Sequence, residues 1–258
     1  MGRVHFYKYQ ATGNDFVIID NRNNALSLTP EQVTKICHRR LGVGADGVIL
    51  LEHHTSLNFN LTYYNSDGSQ SLCGNGSRAA VQFASYLGMV NGKSRFNAFD
   101  GEHSAELLDS GIVRLKMNTV RDITKSGDDY FLNTGSPHVV KFVDAIDDYP
   151  VVEEGRSIRN SATYKPAGTN VNFAALKENN VMFVRTYERG VEDETLSCGT
   201  GVTAAALAAS YKGYTSPITI MTLGGELSVE FKSGQDGTFN EIYLVGPAKM
   251  VFEGDLEL

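Results

Sequence analysis

Short runs of hydrophobic residues recur along the whole chain, separated by polar segments that contain glycine. The runs are rich in β-branched and aromatic side chains, which is typical of strands. The pattern therefore predicts a sheet-rich protein. The predicted strands are RVHFYKY, DFVIID, GVILL, NLTYY, GIVRLKM, VMFVRTY, ITIMTL, ELSVEF and EIYLV.

One helix with ordinary start signals is predicted within LTPEQVTKICHRRL. Thr29 suits the N-cap, Pro30 suits the first helical position, and Gln32 completes a capping box. Cys37 falls inside this helix, and we expect it to face a core as a small hydrophobic residue. The segment DAIDDYPVVEEG is interpreted as a solvated loop.

Two further helices are predicted at AAVQFASYL and AAALAASY, which contain no charged residue. A helix at the surface normally has a polar face, so these two are expected to be buried on all sides and wrapped by a sheet. Each follows a cysteine in a glycine-rich turn, Cys73 in LCGNGS and Cys198 in SCGTGV. The pattern predicts two layered cores, one in each half of the chain.

The two cysteine segments belong to an internal repeat. Nine of sixteen positions are identical between Cys73–Gly88 and Cys198–Gly213, at an offset of 125 residues. Upstream, YKYQATGNDFV aligns with YFLNTGSPHVV, GADGV with GTNVN, and TYYNSDG with RTYERGV, at offsets of 122 to 124. Because the matching pieces keep their order, the sequence indicates two halves derived from one ancestral unit.

Composition narrows the class of protein. The chain of 258 residues has a net charge of -7 with scattered basic residues, which argues against a nucleic-acid partner. It has no apolar stretch of membrane-spanning length and no secretory h-region, so we expect a soluble cytoplasmic protein without a membrane partner. Three cysteines and the absence of C-x-x-C or H-x-x-x-H spacing predict reduced thiols and no metal site, and His53-His54 are interpreted as loop residues.

A cysteine at the start of a helix meets unpaired N–H groups and the positive end of the helix dipole, and both lower the pKa of its thiol. The neighbouring glycines let the backbone approach a ligand, so the same N–H groups could hold a substrate carboxylate. Two such thiols suit the inversion of a carbon stereocentre, because one removes a proton while the other delivers one. Two buried structural thiols, or a cysteine hydrolase with a histidine base, are the alternatives, and the hydrolase leaves the second thiol unexplained.

Six segments resemble, in order and across nearly the whole chain, the motifs of the diaminopimelate epimerase family. They are QATGNDFVIID, RRLGVGADGVIL, NSDGSQSLCGNGSRAA, NTGSPHVV, PAGTNVNFA and YERGVEDETLSCGTGVTAA. The resemblance implies an epimerase that interconverts LL- and meso-2,6-diaminopimelate, in lysine and cell-wall precursor synthesis, without pyridoxal phosphate, metal or other cofactor. It also implies a small amino-acid substrate as partner and a homodimer.

The resemblance further implies an α+β fold of two similar duplicated domains. Each would be a curled, mostly antiparallel sheet around a central buried helix, with the active site in the cleft between the domains. The first domain is expected at residues 1–117 and the second at 118–246. The C-terminal strand, 247–258, is expected to return to the first domain.

The resemblance assigns the acid/base pair to Cys73 and Cys198. It implies that backbone donors of Gly74, Asn75, Gly199 and Thr200 hold the reacting carboxylate. The side chains implied to hold the amino groups and the distal carboxylate are Asn14, Asn65, Asn170, Glu188 and Arg189, with His138 and Ser136 in supporting positions. Amides offer donors and acceptors together, and an arginine can clamp a carboxylate with two hydrogen bonds.

The chain departs from the family pattern at three places. Ser136 stands where many members have asparagine, Gly47 stands where some have glutamine, and the 188–198 segment is one residue longer. Asp67 is expected to shape a turn, and Asn172 to hold a turn after Asn170. A two-cysteine racemase for a substrate with one stereocentre and an inert binding module on the same scaffold remain alternatives.

Overall fold

The computed structural model describes residues 2–258, in which seventeen strands and four α-helices form an α+β fold. Most strand pairings are antiparallel, and all nine predicted strands are present, so the predicted fold class is confirmed. The chain divides into two compact units. The first comprises the chain up to Leu115 together with Gly246–Leu258, and the second comprises Lys116–Val245.

The first unit is a mixed sheet with two helices. The elements are β1 (Arg3–Ala11), β2 (Asn14–Asn21), α1 (Pro30–Cys37), β3 (Gly47–Glu52), β4 (Phe59–Asn65), α2 (Gly74–Tyr86), β5 (Lys93–Ala98), β6 (Gly101–Leu107), β7 (Ile112–Lys116) and β17 (Lys249–Glu257). Antiparallel pairing joins β17 to β1, β1 to β2, β3 to β4, β5 to β6 and β6 to β7, while β2–β3 and β4–β5 are parallel.

The second unit repeats this order of elements. The elements are β8 (Thr124–Ser126), β9 (Asp129–Asn133), β10 (Pro137–Phe142), α3 (Val151–Arg159), β11 (Asn170–Lys177), β12 (Val181–Glu188), β13 (Asp193–Thr195), α4 (Gly199–Ser210), β14 (Ile218–Thr222), β15 (Gly225–Ser233) and β16 (Phe239–Pro247). The parallel pairs β10–β11 and β12–β14 correspond to β2–β3 and β4–β5, and the other pairings are antiparallel.

Each unit has one central helix, as predicted. Helix α2 contacts β1, β2, β3, β4, β6 and β17, and helix α4 contacts β9, β10, β11, β12, β14 and β15. Every residue of α4 from Gly201 to Ala209 is buried, whereas α2 ends at the exposed Tyr86. Small alanine side chains let the strands approach α4 closely on all sides. Because the helix is buried all round, it has no polar face.

Helix α1 begins as predicted. The Thr29 hydroxyl accepts a hydrogen bond from the Gln32 N–H, and the Gln32 side chain accepts one from the Thr29 N–H. Cys37 is buried in the core of the first unit, where burial raises its pKa to about 11. Across the described part of the chain, no helix is long and apolar enough to cross a membrane.

The interpretation of DAIDDYPVVEEG as a solvated loop is wrong. Its second half begins helix α3, and Val151 and Gly155 of this helix are buried. Val151 packs in a core cluster with Ile146, Phe173 and Tyr187. The segment is therefore the counterpart of α1, and it covers the sheet of the second unit.

Candidate active site

Cys73 is the N-cap of α2 in the first unit. Its backbone is extended, with φ -127° and ψ 112°, and its Sγ accepts a hydrogen bond from the Gly76 N–H at 3.3 Å. The first N–H groups of a helix have no partner within the helix, and they carry the positive end of its dipole. The sulfur therefore lies where negative charge is stabilised.

The side chain of Asn14 contacts the Cys73 thiol. Asn14 Nδ2 donates to Asp46 Oδ2 at 2.6 Å, which turns Asn14 Oδ1 toward the start of α2. That oxygen accepts from the Cys73 Sγ–H at 3.6 Å and from Asn75 Nδ2 at 3.3 Å. Asp46 thus fixes the orientation of an amide that holds the thiol proton of Cys73.

Asp46, which binds the Asn14 amide, belongs to a cluster of charged side chains. Arg39 bridges Asp15 and Asp46, with its Nη2 at 2.8 Å from Asp15 Oδ1 and 2.6 Å from Asp46 Oδ1. Lys8, which is buried, contacts Asp15 Oδ2 at 2.7 Å and the Gly44 carbonyl. Burial opposes ionisation of Asp15, but Arg39 and Lys8 outweigh it and lower its pKa to about 2.

Asn65 lies at the end of β4, beside a tight turn. Its Nδ2 donates to the Ser69 hydroxyl at 3.0 Å and to the Ser71 hydroxyl at 3.1 Å. Asp67 accepts from the Ser69 N–H at 2.9 Å, so the predicted turn at Asp67 is confirmed. The turn leads from β4 to Cys73 and holds Asn65 at the end of its strand.

Arg78, which no sequence pattern singled out, is bonded to Asn75 at the start of α2. Its side chain is fully buried, and it donates to Asn75 Oδ1 at 2.6 Å, to Thr12 Oγ1 at 3.2 Å and to the Pro247 carbonyl at 2.9 Å. All three acceptors are neutral. The bond to Asn75 orients its amide so that Asn75 Nδ2 reaches Asn14.

Cys198 is the N-cap of α4 in the second unit, with φ -118° and ψ 111°, almost the backbone conformation of Cys73. It is buried, and it receives no N–H bond of the kind that Gly76 gives to Cys73. Its Sγ lies 3.5 Å from the Thr200 hydroxyl instead. The backbone conformation at Cys73 and Cys198 is therefore repeated, while the side-chain partners of the two thiols differ.

His138 connects Thr200 to the interior of the second unit. Asn172 Nδ2 donates to His138 Nδ1 at 3.0 Å, so the ring proton is on Nε2. Nε2 lies 2.9 Å from both the Thr200 and the Ser136 hydroxyls. Burial, followed by the charge of Arg189, lowers the pKa of His138 to about 3, so the ring is neutral at pH 7. The single Nε2–H can donate to either hydroxyl, and when it donates to Thr200 the Thr200 proton is available to Cys198 Sγ.

Asn170 and Arg189 are neighbours in the second unit. Asn170 Oδ1 accepts from the Arg189 N–H at 2.9 Å, and Asn170 Nδ2 donates to the Ser136 hydroxyl at 3.2 Å. The Arg189 guanidinium donates to the Ala167 carbonyl at 3.1 Å. Glu188 accepts from the Thr195 hydroxyl at 3.0 Å. The structure brings these predicted residues together at the ends of β10, β11 and β12.

Asn172 does not hold a turn, and that expectation is wrong. It lies fully buried inside β11, where its Oδ1 accepts from Thr186 and its Nδ2 donates to His138 and to the Val139 carbonyl. An asparagine on a continuously apolar strand was the available signal, because a buried amide needs partners. Asn172 fixes the tautomer of His138.

Among residues 2–258, no group of three or more His, Cys, Asp or Glu side chains is arranged to hold a metal ion. His54 instead caps its own loop, since its Nδ1 accepts from the N–H groups of Ser56 and Leu57. The polar groups near the two cysteines are thiols, amides, hydroxyls, one imidazole, arginines and the carboxylates of Asp46 and Glu188, which suit the binding of carboxylates and amines.

Solved structures with this fold include epimerases and racemases. A phenazine biosynthesis protein of the PhzF family from Bacillus anthracis matches with a TM-score of 0.78 and 13% identity, covering 100% of both chains. A probable proline racemase from Agrobacterium radiobacter matches with a TM-score of 0.73 and 13% identity, covering 99% of this chain and 93% of the other. At this identity the likeness is one of fold.

Relatives that are 43–48% identical to this chain are epimerases, so the chain, with its paired Cys-Gly-x-Gly helix starts, is an isomerase of the epimerase class. The model of the diaminopimelate epimerase family matches residues 6–121 and 130–251. A diaminopimelate epimerase from Flavobacterium psychrophilum is 48% identical, over 97% of this chain and 99% of that protein. The chain belongs to the diaminopimelate epimerase family.

Proposed function

We propose that this protein interconverts LL- and meso-2,6-diaminopimelate by a two-base mechanism. The observation that carries the proposal is the repeated cysteine N-cap, with Cys73 and Cys198 at equivalent positions of duplicated units. A thiolate on one side removes the α-proton, and the carbanion takes a proton from the thiol on the other side. The first sulfur ends as a thiol and the second as a thiolate, so the reverse reaction exchanges their roles.

The mechanism requires the two thiols at opposite faces of one α-carbon. The backbone N–H groups of Gly74, Asn75, Gly199 and Thr200 would bind the α-carboxylate and stabilise the charge that develops on it. Because the thiols supply both the base and the acid, the reaction needs no cofactor.

The rest of the substrate would be held by polar side chains from both units. Arg189 is suited to the distal carboxylate, because its guanidinium forms two parallel hydrogen bonds with a carboxylate plane. Glu188 can pair with an ammonium group. Asn14, Asn65 and Asn170 offer both donors and acceptors, while His138 and Ser136 hold Thr200.

We also propose that the enzyme works in the cytoplasm, supplies lysine and cell-wall precursors, and forms a homodimer. Strand β17 supports the homodimer. It pairs with β1 and exposes Met250, Val251 and Phe252, and a strand of this kind is a common site of association between subunits. Light scattering during gel filtration would test the assembly.

The decisive experiment measures epimerisation and the exchange of the α-proton in D₂O with LL-diaminopimelate. We expect Cys73→Ala and Cys198→Ala each to lower turnover by roughly 10²–10⁴-fold, because each removes an acid/base group. Cys37→Ala is the matched control, since this third thiol is buried in a core. Near-normal turnover in either active-site variant would exclude the two-base mechanism.

A further inference from the structure

Arg78 carries a buried positive charge that no carboxylate balances. The side chain is 0% exposed, its three hydrogen-bond acceptors are neutral, and its Nε has no hydrogen-bond partner among residues 2–258. Burial lowers the pKa of Arg78 to about 10, and only the negative charge of an ionised Cys73 opposes this effect. A buried guanidinium normally has an anionic partner, because desolvation of a charge is costly.

The nearby charged cluster does not supply that partner. Lys8, Arg39, Asp15 and Asp46 contain two cations and two carboxylates, which balance each other. The remaining charged and titratable side chains on the strands that contact α2 are Arg3, His5, Tyr7, Tyr9, Asp20, Glu52, Tyr63, Tyr64, Glu102, His103, Glu106, Lys249, Glu253, Asp255 and Glu257. None of these groups is bonded to Arg78 in the described structure.

We propose that Arg78 is a positioning residue for Cys73. The buried guanidinium of Arg78 balances the negative charge when Cys73 becomes a thiolate. This inference rests on the proposed function, in which Cys73 alternates between thiol and thiolate. When the Cys73 thiol gives its proton to the substrate carbanion, the sulfur keeps the electron pair of the S–H bond. The thiolate then supplies the negative charge that the buried Arg78 guanidinium lacks.

The helix places the two groups at a suitable separation. Arg78 follows Cys73 by five residues, which is about 7.5 Å along a helix axis. At an effective dielectric constant of about 20, opposite charges at that distance shift a titration midpoint by roughly one to two pH units. Arg78 also acts through contact, because its bond to Asn75 Oδ1 holds the amide that meets Asn14.

Asn14 and Arg78 act on Cys73 in opposite senses. Asn14 Oδ1 accepts the thiol proton and so favours the neutral form, whereas the Arg78 charge favours the thiolate. A residue that must both give and take a proton works best when neither form is strongly preferred. The Asn14 hydrogen bond and the Arg78 charge together keep the thiol and thiolate forms of Cys73 near this balance.

The second unit achieves thiolate stabilisation differently. Thr203 occupies the position equivalent to Arg78, and its hydroxyl donates to the Gly199 carbonyl within α4. Cys198 instead contacts the Thr200 hydroxyl, which His138 supports. We therefore expect the two thiols to respond differently when Arg78 is replaced.

The test measures the iodoacetamide alkylation rate of each cysteine between pH 5 and pH 10, using the intact protein and peptide mass spectrometry. The variants are Arg78→Met, which removes the charge at similar length, and Arg78→Lys, which keeps it. Thr203→Val is the matched control in the second unit. We expect Arg78→Met to raise the Cys73 midpoint by about one to two pH units, with little change at Cys198. Arg78→Lys should restore most of this shift.

An unchanged Cys73 midpoint in folded Arg78→Met would overturn the proposal, and so would an Arg78→Lys midpoint equal to that of Arg78→Met. If Arg78→Met does not fold, the ¹⁵Nε resonance of Arg78 in the unsubstituted protein provides the test. It should titrate with the Cys73 midpoint and lose this step in Cys73→Ala, and a resonance insensitive to Cys73 would refute the proposal. Because these titrations need no turnover, they can fail while both thiols remain essential for epimerisation.

Discussion

Gly76 and Gly201 occupy equivalent positions, the third residue of α2 and of α4, but they have different surroundings. A Cβ added at Gly201 would lie 2.3 Å from Asn172 Oδ1 and 3.3 Å from Cys198 Cβ. At Gly76 the nearest atoms would be Cys73 Cβ and an Ile49 methyl, both at 3.4 Å, which is ordinary contact. We therefore predict that alanine is tolerated at Gly76 and rejected at Gly201.

The hydrogen bonds of Asn172 determine how much stability Gly201→Ala should lose. Its amide is held by Thr186, His138 and the Val139 carbonyl, so Oδ1 cannot withdraw without breaking buried hydrogen bonds. Overpacking costs about 1–3 kcal/mol, and each buried polar group that loses its partner costs about 1–3 kcal/mol. We expect Gly201→Ala to destabilise the second unit by about 2–4 kcal/mol. Gly76→Ala should change stability by about 1 kcal/mol or less, because alanine is the better helix former.

Thermal unfolding and epimerase assays on the two variants check this prediction. The Tm of Gly201→Ala should fall by roughly 5–10 °C, and its activity should fall too, because the shift displaces Cys198 and the amide that fixes His138. Gly76→Ala should keep both properties close to those of the unsubstituted protein. Equal stability and activity of the two variants would show that the close approach of Asn172 to α4 is not a real constraint.

Two further predictions concern charged groups. Asp15 has a pKa lowered to about 2 in the folded protein, so its ionised form contributes about 2 kcal/mol above its ordinary pKa near 4, and this contribution is lost as the pH falls toward 2. Lys8→Met should therefore lessen the loss of unfolding free energy at acid pH, as measured by urea unfolding at a series of pH values. An unchanged pH dependence would show that Lys8 does not stabilise the ionised Asp15. Arg189→Lys should lower kcat/KM for diaminopimelate by at least about tenfold, and lysine, which lacks the distal carboxylate, should be a poor substrate. Comparable kcat/KM values for lysine and diaminopimelate would instead favour a racemase for substrates with one stereocentre.

The sequence predicted the central helices, nine strands and the duplication, but it missed helix α3. Pro150 and Gly155 both suggested a loop, since glycine weakens a helix interior. The structure gives the reason for this glycine, because a Cβ at Gly155 would lie 2.3 Å from Tyr187 Cβ. Tertiary packing thus selected a residue that local propensity rejects. The internal repeat contained the correction, since Pro30 begins α1 at nearly the equivalent position in the first unit.

The candidate site divides in the same way between predictable and unpredictable residues. The helix-start positions of Cys73 and Cys198 could be predicted, because both occur in a repeated motif that depends on local backbone. Asp46, Asn172 and Arg78 could not be assigned from spacing. Their roles depend on which side chains meet across strands, and that is determined by sheet register.

Duplication has preserved the backbone at the two thiols and has changed what surrounds them. The cysteines share φ and ψ within about ten degrees, yet Cys73 contacts the Asn14 amide oxygen and precedes a buried arginine, while Cys198 contacts a hydroxyl that lies beside a neutral imidazole. A hydroxyl can reorient to donate or accept, whereas the Asn14 oxygen, fixed by Asp46, only accepts. In our proposal the Arg78 charge adds to the Gly76 N–H in stabilising the Cys73 thiolate, whereas the Thr200 hydroxyl has this role at Cys198. The proposal accounts for an arginine in only one copy of the repeated motif, since Thr203 occupies the equivalent position in α4.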